Sequence, residues 1–151
     1  MADPDPNVVK QLLSELRDVN KDRRRAAVMK LGMMGGDQAV RALMTAVQND
    51  TEDLIVRGRS ALMLGKLKDV RAVEPLIRAL NAPGYQTPLY AAEALGNIGD
   101  PRAIPHLLAL VNSTIAGKER AHDAALIALK KMGYDPDKQE EEQTPNPVLE
   151  R

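Results

Sequence analysis

The sequence predicts an all-α protein, a short stack of helix pairs that forms an open α-solenoid. Three observations carry that prediction. Segments resembling one another recur every 31 to 34 residues and align on a glycine at positions 32, 65 and 96, with Lys130 in the fourth copy. A period of that length marks stacked supersecondary units rather than one closed core. Between the glycines runs a second matched set of apolar residues at helical spacing. The third observation is compositional. Hydrophobic residues make up 44% of the 151-residue chain, yet Phe and Trp are absent and only Tyr85, Tyr90 and Tyr134 are aromatic. Small aliphatic side chains suit repeated, closely packed helices and supply too few β-branched and aromatic residues for sheets.

Each unit reads as two helices. The first carries Ala27, Val28 and Leu31, or Ala61, Leu64 and Leu67, on one stripe. It is expected to end near Gly32, Gly65 or Gly96, where the missing Cβ permits a left-handed cap. An aspartate, Asp37, Asp69 or Asp100, then opens the second helix, accepting a free backbone N–H at the positive end of the helix dipole. Pro101 takes the first helical position in the third unit.

The second helices share a ladder. Val40, Val73 and Ile104 correspond, as do Leu43, Leu76 and Leu107, then Met44, Ile77 and Leu108, then Val47, Leu80 and Val111. Val9, Leu12, Leu13 and Leu16 extend it backwards, so the chain opens on the second helix of a truncated unit. Eight helices are expected, over 7–17, 21–32, 37–48, 53–65, 69–80, 87–97, 101–112 and 118–132. The domain organisation follows: a disordered N-terminus over 1–6, a repeat domain over 7–134, and a disordered acidic tail over 135–151. Six acidic residues in that tail face only Lys138 and Arg151, and three prolines with few apolar residues leave it little to bury.

The unit Ala91-Ala92-Glu93-Ala94-Leu95-Gly96-Asn97-Ile98-Gly99-Asp100-Pro101-Arg102-Ala103-Ile104-Pro105-His106-Leu107 resembles the HEAT-like repeats, most closely the short variety named after phycobilisome (PBS) lyases. Leu64 to Leu76 is a second match. The first and fourth units depart from the pattern: Gly36-Asp37 replaces the Asp-Pro turn, and the fourth stops after its first helix. The resemblance covers nearly all of 7–132. It implies a right-handed α-α superhelix whose second helices line the concave face, and it implies that Arg24 and Arg57 pair with inter-repeat aspartates, Asp37 or Asp69.

On the second helices the positions outside the ladder form the candidate binding row. They are Arg41, Thr45 and Gln48, then Glu74, Arg78 and Asn81, then His106 and Asn112. A mixed polar row set side by side by the repeat fits a protein or peptide partner. The main expectation is therefore a non-enzymatic, cytoplasmic binding scaffold without a cofactor. The alternative, drawn from the resemblance, is a subunit or relative of a phycobilin lyase handling an open-chain tetrapyrrole.

Other chemistries find little support. The absence of cysteine excludes disulfides, thiolate metal sites and cysteine nucleophiles in this chain. His106 and His122 stand on different helices with no metal-ligand spacing. No phosphate loop or nucleophile elbow is present. The cluster Lys21, Arg23, Arg24 and Arg25, with Arg57, Arg59, Lys66, Lys68 and Arg71 one unit on, offers positive charge. Zero net charge and the lack of stacking aromatics argue against nucleic acid. No apolar run is long enough to span a membrane and no secretory signal is visible. Leu54, Ile55, Leu62, Leu89, Tyr90 and Ile127 lie on the outer stripe of the first helices, as inter-repeat core or as an exposed patch. Open solenoid ends also permit self-association.

Overall fold

The computed structural model describes residues 4–138. Eight α-helices follow in order: α1 Pro6–Glu15, α2 Lys21–Met34, α3 Asp37–Gln48, α4 Leu54–Leu67, α5 Val73–Ala79, α6 Gln86–Ile98, α7 Ile104–Val111 and α8 Glu119–Lys131. They form two layers. The first helices of the units, α2, α4, α6 and α8, stack against one another, and the second helices, α1, α3, α5 and α7, stack alongside. Among the described residues the array runs from the second helix α1 to the first helix α8.

The second-helix ladder is the seam between the layers. Leu43, Leu76 and Leu107 are fully buried, and Val47 and Val73 are nearly or wholly so. The core is continuous along the stack, because each helix pair leaves an apolar face that only its neighbour covers. At the far end the ladder is less covered: Ile104, Leu108 and Val111 on α7 are half-buried, whereas Val73, Ile77 and Leu80 on α5 are buried. Among the described residues no second helix packs on α7 beyond α5.

The repeated glycines do not cap the first helices, contrary to the expectation. All three lie inside them. The helices run on to Met34, Leu67 and Ile98, and the left-handed positions fall later, at Gly35 (φ 71°), Lys68 (φ 53°) and Gly99 (φ 75°). The glycines are instead where consecutive first helices touch. A Cβ on Gly65 would stand 2.6 Å from the Ala94 Cα, one on Gly96 2.9 Å from the Ala128 Cα, and one on Gly32 2.2 Å from the Met63 Cγ. Lys130, in the fourth unit, is exposed, and among the described residues no further first helix follows it.

The second helices open as expected in two units and differently in one. Asp69 and Asp100 accept the N–H of Arg71 and Arg102 at 2.9 Å, each leading a single 3-10 turn, Val70–Ala72 and Pro101–Ala103, into α5 and α7. Asp37 is already the first residue of α3, behind Gly36, and caps nothing. At the N-terminus Asp5 caps α1 through the Asn7 N–H, so helix begins one residue inside the segment expected to be disordered. Of the acidic tail, residues 139–151 lie outside the described residues; Asp135 accepts the Asp137 N–H at 3.1 Å.

Two stability experiments separate ladder from crossing point. Leu43→Ala, Leu76→Ala and Leu107→Ala should each lower unfolding free energy by roughly 2–5 kcal/mol in urea titrations. Gly65→Ala should also destabilise, by about 1–3 kcal/mol, even though alanine is the better helix former. Lys130→Ala should leave the midpoint unchanged, since the side chain is exposed.

Candidate functional site

The polar row on the second helices is solvent-exposed throughout, and the fold brings part of it together. The Arg78 guanidinium donates to the Gln48 amide oxygen at 2.8 Å, bridging α3 and α5. Gln48 in turn donates to the Met44 carbonyl at 3.0 Å, and Thr45 donates to the Arg41 carbonyl at 3.1 Å. Arg41 pairs with Asp37 one turn earlier at 3.0 Å. Glu74 stands 3.7 Å from Arg102 of the next unit. Asn81 and His106 border a small pocket of about 190 Å³ between α5 and α7. Asn112 ends α7, its N–H bonded to the Leu108 carbonyl.

Along the openings of the second helices, arginines tie one unit to the next. Arg71 clasps its own capping Asp69 at 2.8 Å and reaches back to Asp37 at 2.6 Å; Arg102 likewise binds Asp100 at 3.0 Å and leans toward Glu74. The Arg71 guanidinium holds Asp69 and Asp37 below the usual carboxylate range. The implied pairing of Arg24 and Arg57 with Asp37 or Asp69 is therefore wrong. Arg24 pairs with Glu52 at 3.0 Å and donates to the Asp18 and Val19 carbonyls. Arg57, almost wholly buried, donates to the Val47 carbonyl at 3.3 Å and faces Asp50 at 3.7 Å. Both clamp the connection between one unit and the next, which the sequence pattern of the helices does not reveal.

Much of the basic cluster is consumed in the same way. Arg23 pairs with Asp18 at 3.2 Å, and Arg25 grips Asp53 with two bonds of 2.8 Å. Asp53 caps α4 through the Val56 N–H, and Arg25 together with that bond pulls its carboxyl down to about 2. Sequence reasoning also missed Lys118. Its ammonium donates to the Ala82 and Gly84 carbonyls at 2.7 and 3.2 Å, pinning the α5–α6 loop, and burial lowers its pKa.

The outer layer holds a second feature. Leu62, Leu89 and Tyr90 of the expected outer stripe pack onto the core, while Leu54 and Ile127 are exposed. Between α4 and α6, Gln86 and Tyr90 fill the seam over Gly58, whose absent Cβ would lie 3.2 and 3.5 Å from them. Their equivalents between α6 and α8 are Arg120 and Ala124 over Leu89. With tyrosine reduced to alanine, that seam opens into a trough of about 470 Å³. Arg120 lies at one end with its guanidinium 5.3 Å from the Tyr85 ring centre, and Lys131 lies at the other, bonded to Asn97. Glu93 and Asp123 flank the middle, and Ile127 is 67% exposed on its wall. No group of three or more metal-ligating side chains occurs among the described residues, and no helix there is long and apolar enough to cross a membrane.

The model of HEAT repeats matches residues 9–87, and that of the PBS lyase HEAT-like repeat matches residues 88–113. The chain belongs to the HEAT-repeat family. Among curated relatives, a phycocyanobilin lyase subunit alpha from Picosynechococcus sp. is 37% identical over 90 residues, covering 56% of this chain and 34% of that one. Among solved structures, the complex of CpcE and CpcF of phycocyanin lyase from Nostoc sp. superimposes with a TM-score of 0.71 at 25% identity, covering 83% of this chain and 53% of that one. Human deoxyhypusine hydroxylase in complex with glycerol gives the same TM-score, 0.71, at 22% identity, covering 93% of this chain and 47% of that one, and shows the shared fold alone. This chain thus spans about a third of the curated relative and about half of each structural neighbour.

These relatives correct the expectation of a non-enzymatic scaffold. The curated match is a lyase subunit and a structural neighbour is a lyase complex, so the alternative reading is the better supported one. The reason for the error is physical: the repeated positions specify stacking, and stacking is the same in a scaffold and in a lyase component.

Because Asp53 is held low in the folded chain, its contribution is present above the ordinary aspartate range and is lost as pH falls from about 5 toward 2. Asp53→Asn should flatten the acid limb of a Tm-against-pH curve. Asp53→Ala should cost about 1–2 kcal/mol at neutral pH through the lost helix cap.

Proposed function

We propose that this chain is a component of a bilin lyase, a module that receives an open-chain tetrapyrrole and acts with a further protein subunit. The observation that carries this reading is the 37% identity over 90 residues to a phycocyanobilin lyase subunit alpha. The likeness to the structure of the CpcE–CpcF complex supports the second protein, since that structure is a complex of two proteins. A component of such an assembly takes a share of the task, and the subunit it acts with takes the rest.

The fold accounts for how such a share is met. An array of helix pairs holds side chains of successive units at fixed spacing, which suits an elongated ligand better than a compact one. Having no cysteine, the chain forms no thioether to the pigment, so its part is to bind and present the tetrapyrrole rather than to carry it covalently.

The test is spectroscopic. The purified chain, added in excess to phycocyanobilin, should shift and sharpen the long-wavelength absorbance of the pigment, because a bound chromophore loses conformational freedom. A pigment spectrum unchanged by the chain would overturn the reading.

A further inference from the structure

The trough between α6 and α8 has features that stacking does not require. The equivalent seam one unit earlier is filled, by Tyr90 and Gln86 over Gly58. Here the filling side chain is Ala124, and the space it leaves is of the size that small-molecule sites occupy, about 470 Å³. The lining is ordered by helix geometry. Arg120, Asp123, Ile127 and Lys131 fall on one stripe of α8 at spacings of three and four residues. Leu89, Glu93 and Asn97 form the facing stripe on α6. The two cations stand three helical turns apart, about 16 Å between backbones, with Leu89 of α6 and Ile127 of α8 lining the space between them.

Both cations are positioned in advance. Arg120 rests against the Tyr85 ring, and Lys131 is held by the Asn97 side-chain oxygen. Among the described residues neither makes an ion pair with a carboxylate, unlike Arg23, Arg24, Arg25, Arg71 and Arg102 elsewhere in the array. Glu93 and Asp123, on opposite walls, offer acceptors between them. A ligand that matches is long and flat, apolar along its length, with carboxylates to meet the cations and N–H donors to meet the acids. A linear tetrapyrrole has that chemistry: conjugated rings, pyrrole N–H groups and propionate side chains.

We infer that the α6–α8 trough is the seat of the chromophore, with Arg120 and Lys131 binding its propionates, Glu93 and Asp123 its pyrrole N–H groups, and Leu89 and Ile127 its rings. This rests on the reading given under Proposed function and names the site at which it acts. It places the ligand on the first-helix layer, away from the polar row of the second helices.

The experiment is a titration of the full chain with phycocyanobilin, followed by absorbance and circular dichroism. Two variants probe the trough. The double variant Arg120→Gln with Lys131→Gln removes both cations. Ile127→Glu puts a carboxylate between them, in a position where the preceding unit already carries Glu93, so the helix tolerates it. Lys10→Gln with Lys30→Gln, on α1 and α2, serves as the control for loss of two charges, and far-ultraviolet dichroism confirms the fold of each variant. Both trough variants should weaken apparent affinity by about tenfold or more, the loss of a charge-assisted bond, and the control should titrate like wild type. If either trough variant also titrates like wild type, the seat lies elsewhere, and the lyase reading stands without it. If wild type itself leaves the pigment spectrum unchanged, the lyase reading falls and this site falls with it.

Discussion

Everything in this molecule depends on how closely one first helix can approach the next. At Gly32, Gly65 and Gly96 that distance is set by the absence of a Cβ, and at two of the three the neighbouring backbone itself stands where the Cβ would be. Close approach there determines the angle at which each pair lies on its predecessor. It also brings the second-helix ladder into register, so that Leu43, Leu76 and Leu107 reach full burial. Dispersion and the hydrophobic effect then act over the whole length of the seam. The arginine clasps between units follow from the same spacing: Arg71 reaches Asp37, and Arg25 reaches Asp53, because consecutive units lie within one side chain of each other.

That arrangement divides the surface into two kinds of ground. On the second-helix layer, successive units differ mainly in which polar group each presents, and several of those groups are tied to one another, as Gln48 is to Arg78. On the first-helix layer the units differ in volume. Tyr90 fills a seam and Ala124 leaves one open, with cations at both ends of the opening. A repeat architecture makes such a departure visible, because the filled version of the same seam sits one unit away as its own reference.

The fold was legible in the sequence to within a few residues at most helix ends, because ladder positions such as Val40, Val73 and Ile104 recur at fixed spacing and the solenoid has no long-range pairing to guess. The glycines were located and misassigned. A missing Cβ is compatible with a left-handed cap and with a close crossing, and only the position of Ala94 or Ala128 distinguishes them. The partners of Arg24 and Arg57 were missed because Glu52, Asp50 and the Val47 carbonyl sit at a connection that the helical pattern does not describe. The trough was missed for another reason. Leu89 and Ile127 were noted as outer apolar residues, but the opening comes from a pair exchange, Gly58 with Tyr90 against Leu89 with Ala124. Aligning those two columns against each other is the signal that finds it.

Lys130 carries a consequence for how such an array can change in length. A unit duplicated within the stack brings its own glycine and its own crossing partner, so the copy docks on both sides without further adjustment. A first helix laid against α8 meets an ammonium and four methylenes where every earlier helix offers bare backbone. Docking of a further first helix is thus easy at a glycine crossing and resisted at Lys130. The side chain that interrupts the glycine series gives the repeat a direction.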